Sequence, residues 1–315
     1  MDKIYNISVS PHVRKNISTQ RIMGDVLIAL LPVCLFGIWH FGLAALRVLV
    51  ASVTSCVVSE ILFQFIVGRR VTVDDLSAAV TGVILAINLP ATVPLWVPVL
   101  GGAFAIVIVK QLYGGLGQNF MNPAVAARCF LLISFGSIMA NYPAIDGVSG
   151  ATPLAVLKEG GEVNLLDMFL GTTSGVIGET SVPAILLGFI YLVARKVIQI
   201  RIPAIYVGST VAFVAIFHLL TTGELPTVQY LVAHACGGGL LLGAVFMATD
   251  YVSCPVTSSG KIIYGVLLGF LTALIRIFSN SPEGVSYAII ISNMVSPLIE
   301  KITVPKAFGK EGKRK

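Results

Sequence analysis

Charged side chains are scarce in this chain of 315 residues. They make up 11% of the sequence, whereas hydrophobic residues make up 56%, and the mean hydropathy is +0.91. Because a soluble domain carries roughly a quarter charged residues, this composition excludes a soluble globular fold. At membrane depth the backbone must satisfy its own hydrogen bonds, which leaves helices or a closed barrel. The apolar runs are long and do not alternate strictly with polar residues, so we predict an all-α integral membrane protein.

Sequence patterns for bound metals and nucleotides are also missing. The five cysteines lie far apart and show no Cys-x-x-Cys spacing, so neither an iron–sulfur cluster nor a zinc site is indicated from this chain alone. Their expected role is apolar packing, with a cluster shared with another protein as the alternative. The chain also lacks a dinucleotide-binding glycine fingerprint, and its polar first 20 residues run into an apolar segment without a signal-peptide cleavage pattern.

Ten apolar segments are predicted to cross or enter the membrane as helices. The third and fourth fall short of the ~20 residues of a full crossing. The segments are Ile22–Trp39, Leu43–Val67, Leu76–Leu89, Leu95–Lys110, Pro123–Ala140, Val182–Val197, Pro203–Leu220, Leu231–Ala248, Ile262–Phe278 and Gly284–Ile302. Short segments that end at Asn88-Leu89-Pro90 and at Thr249-Asp250 indicate broken or re-entrant helices. The two halves, residues 22–140 and 182–302, echo each other and predict two inverted five-helix repeats.

The distribution of charge predicts the orientation. Basic residues fall in the N-terminal segment 1–21, in loops on the same side and in the tail 303–315, whereas the loop 141–181 holds five acidic residues against Lys158 alone. Because cytoplasmic loops carry an excess of Lys and Arg, both termini are expected in the cytoplasm and this loop outside it. A net charge of +6 spread in this way indicates the orientation of a membrane protein and does not indicate nucleic-acid binding.

The segment Asp146-Gly-Val-Ser149-Gly150-Ala151-Thr152-Pro153 is the centre of that polar loop. A Thr followed by Pro fits the N-cap and first position of a helix, here predicted over 153–158. Two small residues before Thr152 leave its hydroxyl accessible as a nucleophile. Taken alone, Ser-Gly-Ala-Thr in any protein is most often an ordinary capping sequence.

A second polar segment, Gly114-Gly-Leu-Gly-Gln-Asn119-Phe-Met-Asn122-Pro123, follows the fourth apolar run. Its glycines permit an irregular backbone, and its two amides offer paired donors and acceptors. The plain interpretation is a glycine-rich turn in which Asn122 caps the next helix.

Several ionisable residues lie at or near segment ends. Asp250 has two interpretations, a cation path or a helix-end aspartate that faces water or a basic partner. Arginines near segment ends are expected to snorkel. The histidines show no ligand spacing and are expected to be interface or packing residues. These arginines and histidines are Arg47, Arg128, Arg276, His40, His218 and His234.

Together the two polar segments resemble the flavin motifs of the RnfD/NqrB family. Its members are the D subunit of the Rnf ferredoxin:NAD oxidoreductase and the B subunit of the sodium-translocating NADH:quinone reductase, and the short N-terminal segment favours the former. The resemblance implies that FMN is attached to Thr152 through a phosphodiester bond, within a motif formed by Asp146, Ser149, Gly150 and Ala151. It also implies a noncovalent flavin, often riboflavin, near Asn119 and Asn122. A flavin or phosphate contact is then the alternative to snorkelling for Arg128.

The function implied by the resemblance is electron transfer between reduced ferredoxin and NAD, coupled to Na⁺ or H⁺ movement across a prokaryotic cytoplasmic membrane. The expected partners are the other Rnf subunits, a flavin transferase and the lipid bilayer. The chain would not be catalytic alone, since nicotinamide and ferredoxin must be handled elsewhere. The alternatives are the B subunit of the quinone reductase and a channel or transporter without a redox role.

Overall fold

The structure is a computed structural model that describes residues 18–142, 152–161, 163–179, 181–279 and 284–305. The described residues form α-helices with short irregular connections and no strand. The helices are α1 Thr19–Phe41, α2 Leu43–Val67, α3 Ser77–Ile87, α4 Trp96–Ala103, α5 Pro123–Ser134, α6 Gly136–Met139, α7 Pro153–Lys158, α8 Leu165–Leu170, α9 Val182–Ala194, α10 Arg201–Thr222, α11 Val228–Cys236, α12 Leu240–Leu242, α13 Ser258–Phe278 and α14 Val285–Thr303. Two π-helical segments, Phe104–Gln111 and Gly243–Met247, continue α4 and α12.

The helices confirm the predicted all-α membrane class. Five of them, α1, α2, α10, α13 and α14, are long and apolar enough to cross a membrane. A sixth span is formed if α11 and the helix from Leu240 to Met247, which are bent by 52°, are taken as one. Four shorter apolar helices, α3, α4 with its π-helical extension, α5 and α9, coincide with the remaining predicted segments. The inverted-repeat organisation stays a prediction.

Both predicted helix ends lie at the expected positions. The first of these helices, α3, ends at Ile87, directly before Asn88-Leu89-Pro90. The eighth segment does end at Met247, before Thr249-Asp250, but it is interrupted earlier, at Gly237–Gly239, where no break was predicted. Gly238 and Gly239 adopt φ values of +66° and +64°, in the left-handed region that side chains other than glycine rarely enter. The three successive glycines were the available signal.

The direction of the helices defines two ends of the bundle. Asp25 in the second turn of α1 pairs with Arg195 at the end of α9, with a 3.2 Å distance between Arg195 Nε and Asp25 Oδ1. The start of α1 therefore lies beside the end of α9, and the two helices are antiparallel. Gly188 permits their close approach, since a Cβ there would lie 2.3 Å from the carbonyl oxygen of Ala29. We call the end at which α1 begins the α1 end and the opposite end the loop end.

The segment 163–179 docks on the first broken helix. The backbone N–H of Gly178 donates to the carbonyl of Ile87 at 2.7 Å, and that of Ile177 donates to Leu89 at 3.1 Å. These bonds occupy carbonyls that the end of α3 leaves without helical partners. Residues 163–179 of the loop between the two halves are thereby held against the bundle, next to Thr152.

Candidate functional site

Thr152 begins the helix α7, as predicted, but its side chain does not cap that helix. The residue has extended backbone angles (φ −67°, ψ 153°), and α7 covers Pro153–Lys158, the predicted bounds. Its hydroxyl makes no capping bond, and Oγ1 has no hydrogen-bond partner among the described residues. An ordinary capping role therefore leaves this hydroxyl unexplained. Asp146, Ser149, Gly150 and Ala151 lie outside the described residues.

The prediction that the Thr152 hydroxyl is accessible was wrong. Among the described residues, Thr152 is buried. The residue is 7% exposed and lines a cavity of about 20 Å³ together with Glu179 and the glycines of the α11 break. The cause is the close docking of α7 on that break, because a Cβ on Gly238 would lie 2.4 Å from Cδ1 of Leu154. The glycines let the loop sit so deeply, and their role was not foreseen from the sequence.

A larger cavity of about 450 Å³ lies beside the first at the loop end. Leu154 lines both cavities. The side chain of Arg276 stands between them: its Nη2 donates to the carbonyls of Gly237 and Gly238 at 2.8 and 3.1 Å, and its Nη1 donates to that of His234 at 2.5 Å. A cation at the C-terminal end of α11 is favoured by the helix dipole.

Arg276 and Arg128 do not snorkel, contrary to the prediction. Both are 3% exposed. Arg128 donates from Nη1 to Oδ1 of Asn88 at 2.7 Å, at the end of α3, so each buried arginine serves the end of a broken helix. Backbone carbonyls at the α11 break attract the guanidinium of Arg276 inward, and the side-chain oxygen of Asn88 attracts that of Arg128. Arg47, by contrast, is exposed and bonds to the carbonyl of Leu43.

The predicted packing role of the histidines is confirmed by ring contacts. At the loop end the rings of His218, Tyr230 and His234 follow one another, with centroids 4.6 Å apart in each pair. His40 contacts Phe36 and Phe41. His234 has a second property that the sequence did not reveal: it is 5% exposed, and its Nδ1 has no partner among the described residues.

Asn119 and Asn122 lie together at the other end of the bundle. Both are buried and line a cavity of about 120 Å³ at the α1 end. Asn122 caps α5, as predicted, accepting from the N–H of Ala124 at 3.1 Å, and its Nδ2 donates to the carbonyl of Met247 at 3.2 Å. Asn119 donates to the carbonyl of Met121 at 2.9 Å. The glycine-rich segment therefore brings the two amides to one cavity wall.

Asp250 lines the same cavity in the loop after Met247. Burial raises the pKa of its carboxyl, while hydrogen bonds from Ser253, Asn119 and backbone N–H groups lower it by less. The bond from Ser253 Oγ is 2.9 Å long. These contacts place Asp250 beside Asn119.

An ion pair that was not predicted forms another part of this wall. Lys110 lines the cavity, and its Nζ lies 2.7 Å from Oε1 of Glu60 on α2. Glu60 is fully buried, and its Oε2 has no partner among the described residues. A single glutamate within an apolar run, Val57-Val58-Ser59-Glu60-Ile61-Leu62, was a signal of its importance, because charges at membrane depth are expensive.

Metal-binding clusters are not seen in the part of the chain that the structure describes. No group of three His, Cys, Asp or Glu side chains there is arranged to hold a metal ion. All five cysteines are free thiols, and three of them are buried. The chemistry of the described residues is therefore that of an unpartnered hydroxyl, paired amides and buried charges.

Comparison with known proteins gives consistent matches along the chain. It is 47% identical over 311 residues to the D subunit of the Na⁺-translocating ferredoxin:NAD⁺ oxidoreductase complex of Acetobacterium woodii, covering 96% of this chain and 95% of that protein. It is 40% identical over 322 residues to the D subunit of the proton-translocating ferredoxin:NAD⁺ oxidoreductase complex of Clostridium ljungdahlii, covering 97% and 96%. The D subunit of the ion-translocating oxidoreductase complex of Aeromonas hydrophila is 35% identical over 351 residues, covering 97% and 99%.

The family profile covers nearly the same range. The sequence pattern that describes the NQR2, RnfD, RnfE family matches residues 6–309. The predicted resemblance is confirmed: the chain belongs to the NQR2, RnfD, RnfE family.

Proposed function

We propose that this protein is a flavin-carrying membrane subunit of an Rnf-type complex. The subunit relays electrons between reduced ferredoxin and NAD, and the complex moves Na⁺ or H⁺. The names of the similar D subunits support membership in such a complex. One name gives Na⁺ as the translocated ion and the other gives the proton. Flavin would supply the electron-carrying chemistry, and the chain's own residues would bind and orient it.

The observation that carries the proposal is the state of Thr152. Its hydroxyl is buried at the start of a helix, makes no cap and has no partner among the described residues. A buried hydroxyl without a partner costs about 1–3 kcal/mol, so a role other than packing is expected of it. Attachment of FMN would replace the O–H bond of Oγ1 by an O–P bond and add the mass of FMN less one water. Because Thr152 is buried when α7 is docked, a flavin transferase would have to act before α7 docks or while α7 is displaced.

The cavity at the α1 end is the candidate site for a second, noncovalent flavin. Asn119 and Asn122 supply amide groups on its wall, and Val80, Ile84 and Phe246 supply apolar surface suited to a planar ring. Its wall also carries two ionisable groups, Asp250 and the buried Lys110 that is paired with Glu60. We assign riboflavin or a similar flavin to this cavity, with the two asparagines orienting its polar edge.

The proposed orientation has the two flavins on opposite sides of the membrane. The basic N-terminal segment and tail favour a cytoplasmic position for the α1 end in a prokaryote, and the acidic loop favours an external position for Thr152. An electron would then cross most of the membrane between the two cavities, with the other subunits of the complex as partners.

The experiment that tests the proposal is the substitution Thr152→Val in the assembled complex. We expect loss of electron transfer from reduced ferredoxin to NAD with unchanged assembly, because valine keeps the shape of threonine without its hydroxyl. Thr173→Val is the matched control, since Thr173 lines the same small cavity. Full ferredoxin-to-NAD activity in Thr152→Val would reject the role assigned to Thr152. A colourless chain that moves solute without partners would favour a transporter.

A further inference from the structure

A groove with an apolar lining lies between α9, α10 and the π-helical segment that continues α12. Its volume is about 180 Å³, and every residue that lines it is apolar. Leu186 and Phe189 come from α9, Pro203 and Ala204 from α10, and Ala244 from the π-helical segment. Leu186 and Ala204 are exposed, so the groove opens on the outer surface of the bundle, where a membrane protein meets lipid.

The size of the groove suits one hydrocarbon chain. An apolar cavity of roughly 150 Å³ stays free of water and takes up a molecule as small as benzene. A groove of about 180 Å³ therefore holds a stretch of one acyl chain, but it is too small for a helix, whose diameter with side chains is ~10–12 Å. Its walls offer water no hydrogen bond, which favours a hydrocarbon as the occupant.

Basic residues gather in the turn that joins α9 to α10 at the α1 end of this groove. The sequence Arg195-Lys-Val-Ile-Gln-Ile-Arg201 contains three basic residues and no acidic one. Ile200 in this turn lines the groove. Arg195 is paired with Asp25, whereas Lys196 and Arg201 are exposed and have no ion-pair partner among the described residues. Two cations that are not neutralised therefore stand at the end of an apolar groove.

Lys196 has a backbone conformation that glycine usually adopts. Its φ is +58°, in the left-handed region, shortly after α9 ends at Ala194. Because residues other than glycine rarely adopt this conformation, a role for the lysine side chain is expected. A third cation, Lys261 at the start of α13, donates to Oε1 of Gln199 in the same turn at 3.1 Å. Basic residues beside a pocket between membrane helices are typical of a site for an anionic lipid headgroup.

We propose that this groove binds an anionic phospholipid, with one acyl chain along the groove and the phosphate beside Lys196 and Arg201. By the orientation proposed above, the headgroup lies in the cytoplasmic leaflet. Val245 lines both this groove and the cavity at the α1 end, so the acyl chain lies behind one wall of that cavity. The inference rests on the groove and its basic turn and does not depend on either flavin.

The test is native mass spectrometry of the full chain, purified and delipidated in detergent and then mixed with equal amounts of dioleoyl-phosphatidylglycerol and dioleoyl-phosphatidylcholine. The two lipids have the same acyl chains, so the ratio of their adducts reports on the headgroup within each sample. We expect phosphatidylglycerol to predominate on the wild type. In Lys196→Gln combined with Arg201→Gln the ratio should fall about tenfold or more, because each basic residue near the membrane surface contributes roughly a fivefold preference for anionic lipid. In Ala204→Phe both adducts should decrease, because the ring fills the groove from its rim.

Matched controls separate the site from general effects. Arg70→Gln combined with Lys301→Gln removes two exposed charges away from the groove and should leave the ratio unchanged. Ala212→Phe places the same ring at an exposed position of α10, eight residues or roughly 12 Å further along the helix, and should leave both adducts unchanged.

Three results would overturn the proposal. The first is a wild type that binds both lipids equally, or a ratio that falls as far in the control pair as in the Lys196 and Arg201 pair. The second is an amount of adduct that Ala204→Phe leaves unchanged. The third is loss of another subunit from the purified complex in Ala204→Phe with unchanged lipid adducts, which would assign the groove to that subunit.

Discussion

Removal of the buried lysine Lys110 should strongly destabilise the protein. Its ammonium lies 2.7 Å from Glu60 Oε1 and 2.6 Å from Ser77 Oγ, and the paired side chains of Lys110 and Glu60 are 3% and 0% exposed. In Lys110→Met the carboxylate of Glu60 would keep a bond from Gln111 at 2.7 Å but lose its only nearby cation among the described residues. Breaking a buried pair from one side costs about 3–5 kcal/mol, because a charge is left uncompensated away from water.

The assay is the free energy of unfolding in detergent micelles, followed by circular dichroism during a denaturant titration. We expect Lys110→Met to lose about 3–5 kcal/mol, and Glu60→Gln combined with Lys110→Met to recover at least ~2 kcal/mol of that, since both charges are then gone. Lys301→Met, at an exposed position, should change stability by no more than ~0.5 kcal/mol. A loss below ~1 kcal/mol in Lys110→Met, or a double variant no more stable than the single one, would refute this account of the pair.

Three further predictions concern close packing, capping and pH. Gly188→Ala should destabilise by about 1–3 kcal/mol in the same titration, because its Cβ would lie 2.3 Å from the carbonyl oxygen of Ala29, whereas Gly208→Ala, with nothing within 4 Å, should be neutral or stabilising. Asn122→Ala should lower the free energy of unfolding by about 1–2 kcal/mol, because the cap of α5 is lost. It should also remove noncovalent flavin from the purified chain, and retention of that flavin would contradict its assignment to the cavity at the α1 end. Burial raises the pKa of Asp250, so its contribution to stability is fully present below pH ~4 and is lost as pH rises through the folded-state pKa. Asp250→Asn should therefore reduce the fall in melting temperature as pH rises above ~4, and an unchanged slope would show that Asp250 is not its source.

Much of the fold could be predicted because membrane solvation leaves few alternatives. A backbone in lipid must be helical or closed, so the apolar runs alone located the helices to within a few residues, as for α1 and α13. Local rules were equally effective at Thr152-Pro153 and Asn122-Pro123, where the predicted helix starts were confirmed. These features depend on neighbours in sequence.

The rest depends on contacts between residues far apart in the chain. The depth of Thr152 follows from the docking of α7 on Gly238, across more than 80 residues of chain, and no local pattern reports it. The inward direction of Arg276 likewise depends on carbonyls of another helix. The burial of Glu60 could be predicted only with the knowledge that Lys110, 50 residues away, would face it.

The most direct test of the central claim is the mass of the intact chain after co-expression with a flavin transferase, with fluorescence on a denaturing gel beside it. We expect yellow fluorescence and an added mass of one FMN less one water in the wild type and in Thr173→Val, and neither signal in Thr152→Val. An unmodified, dark wild-type chain, or a flavin adduct that persists in Thr152→Val, would contradict the claim that Thr152 carries the flavin.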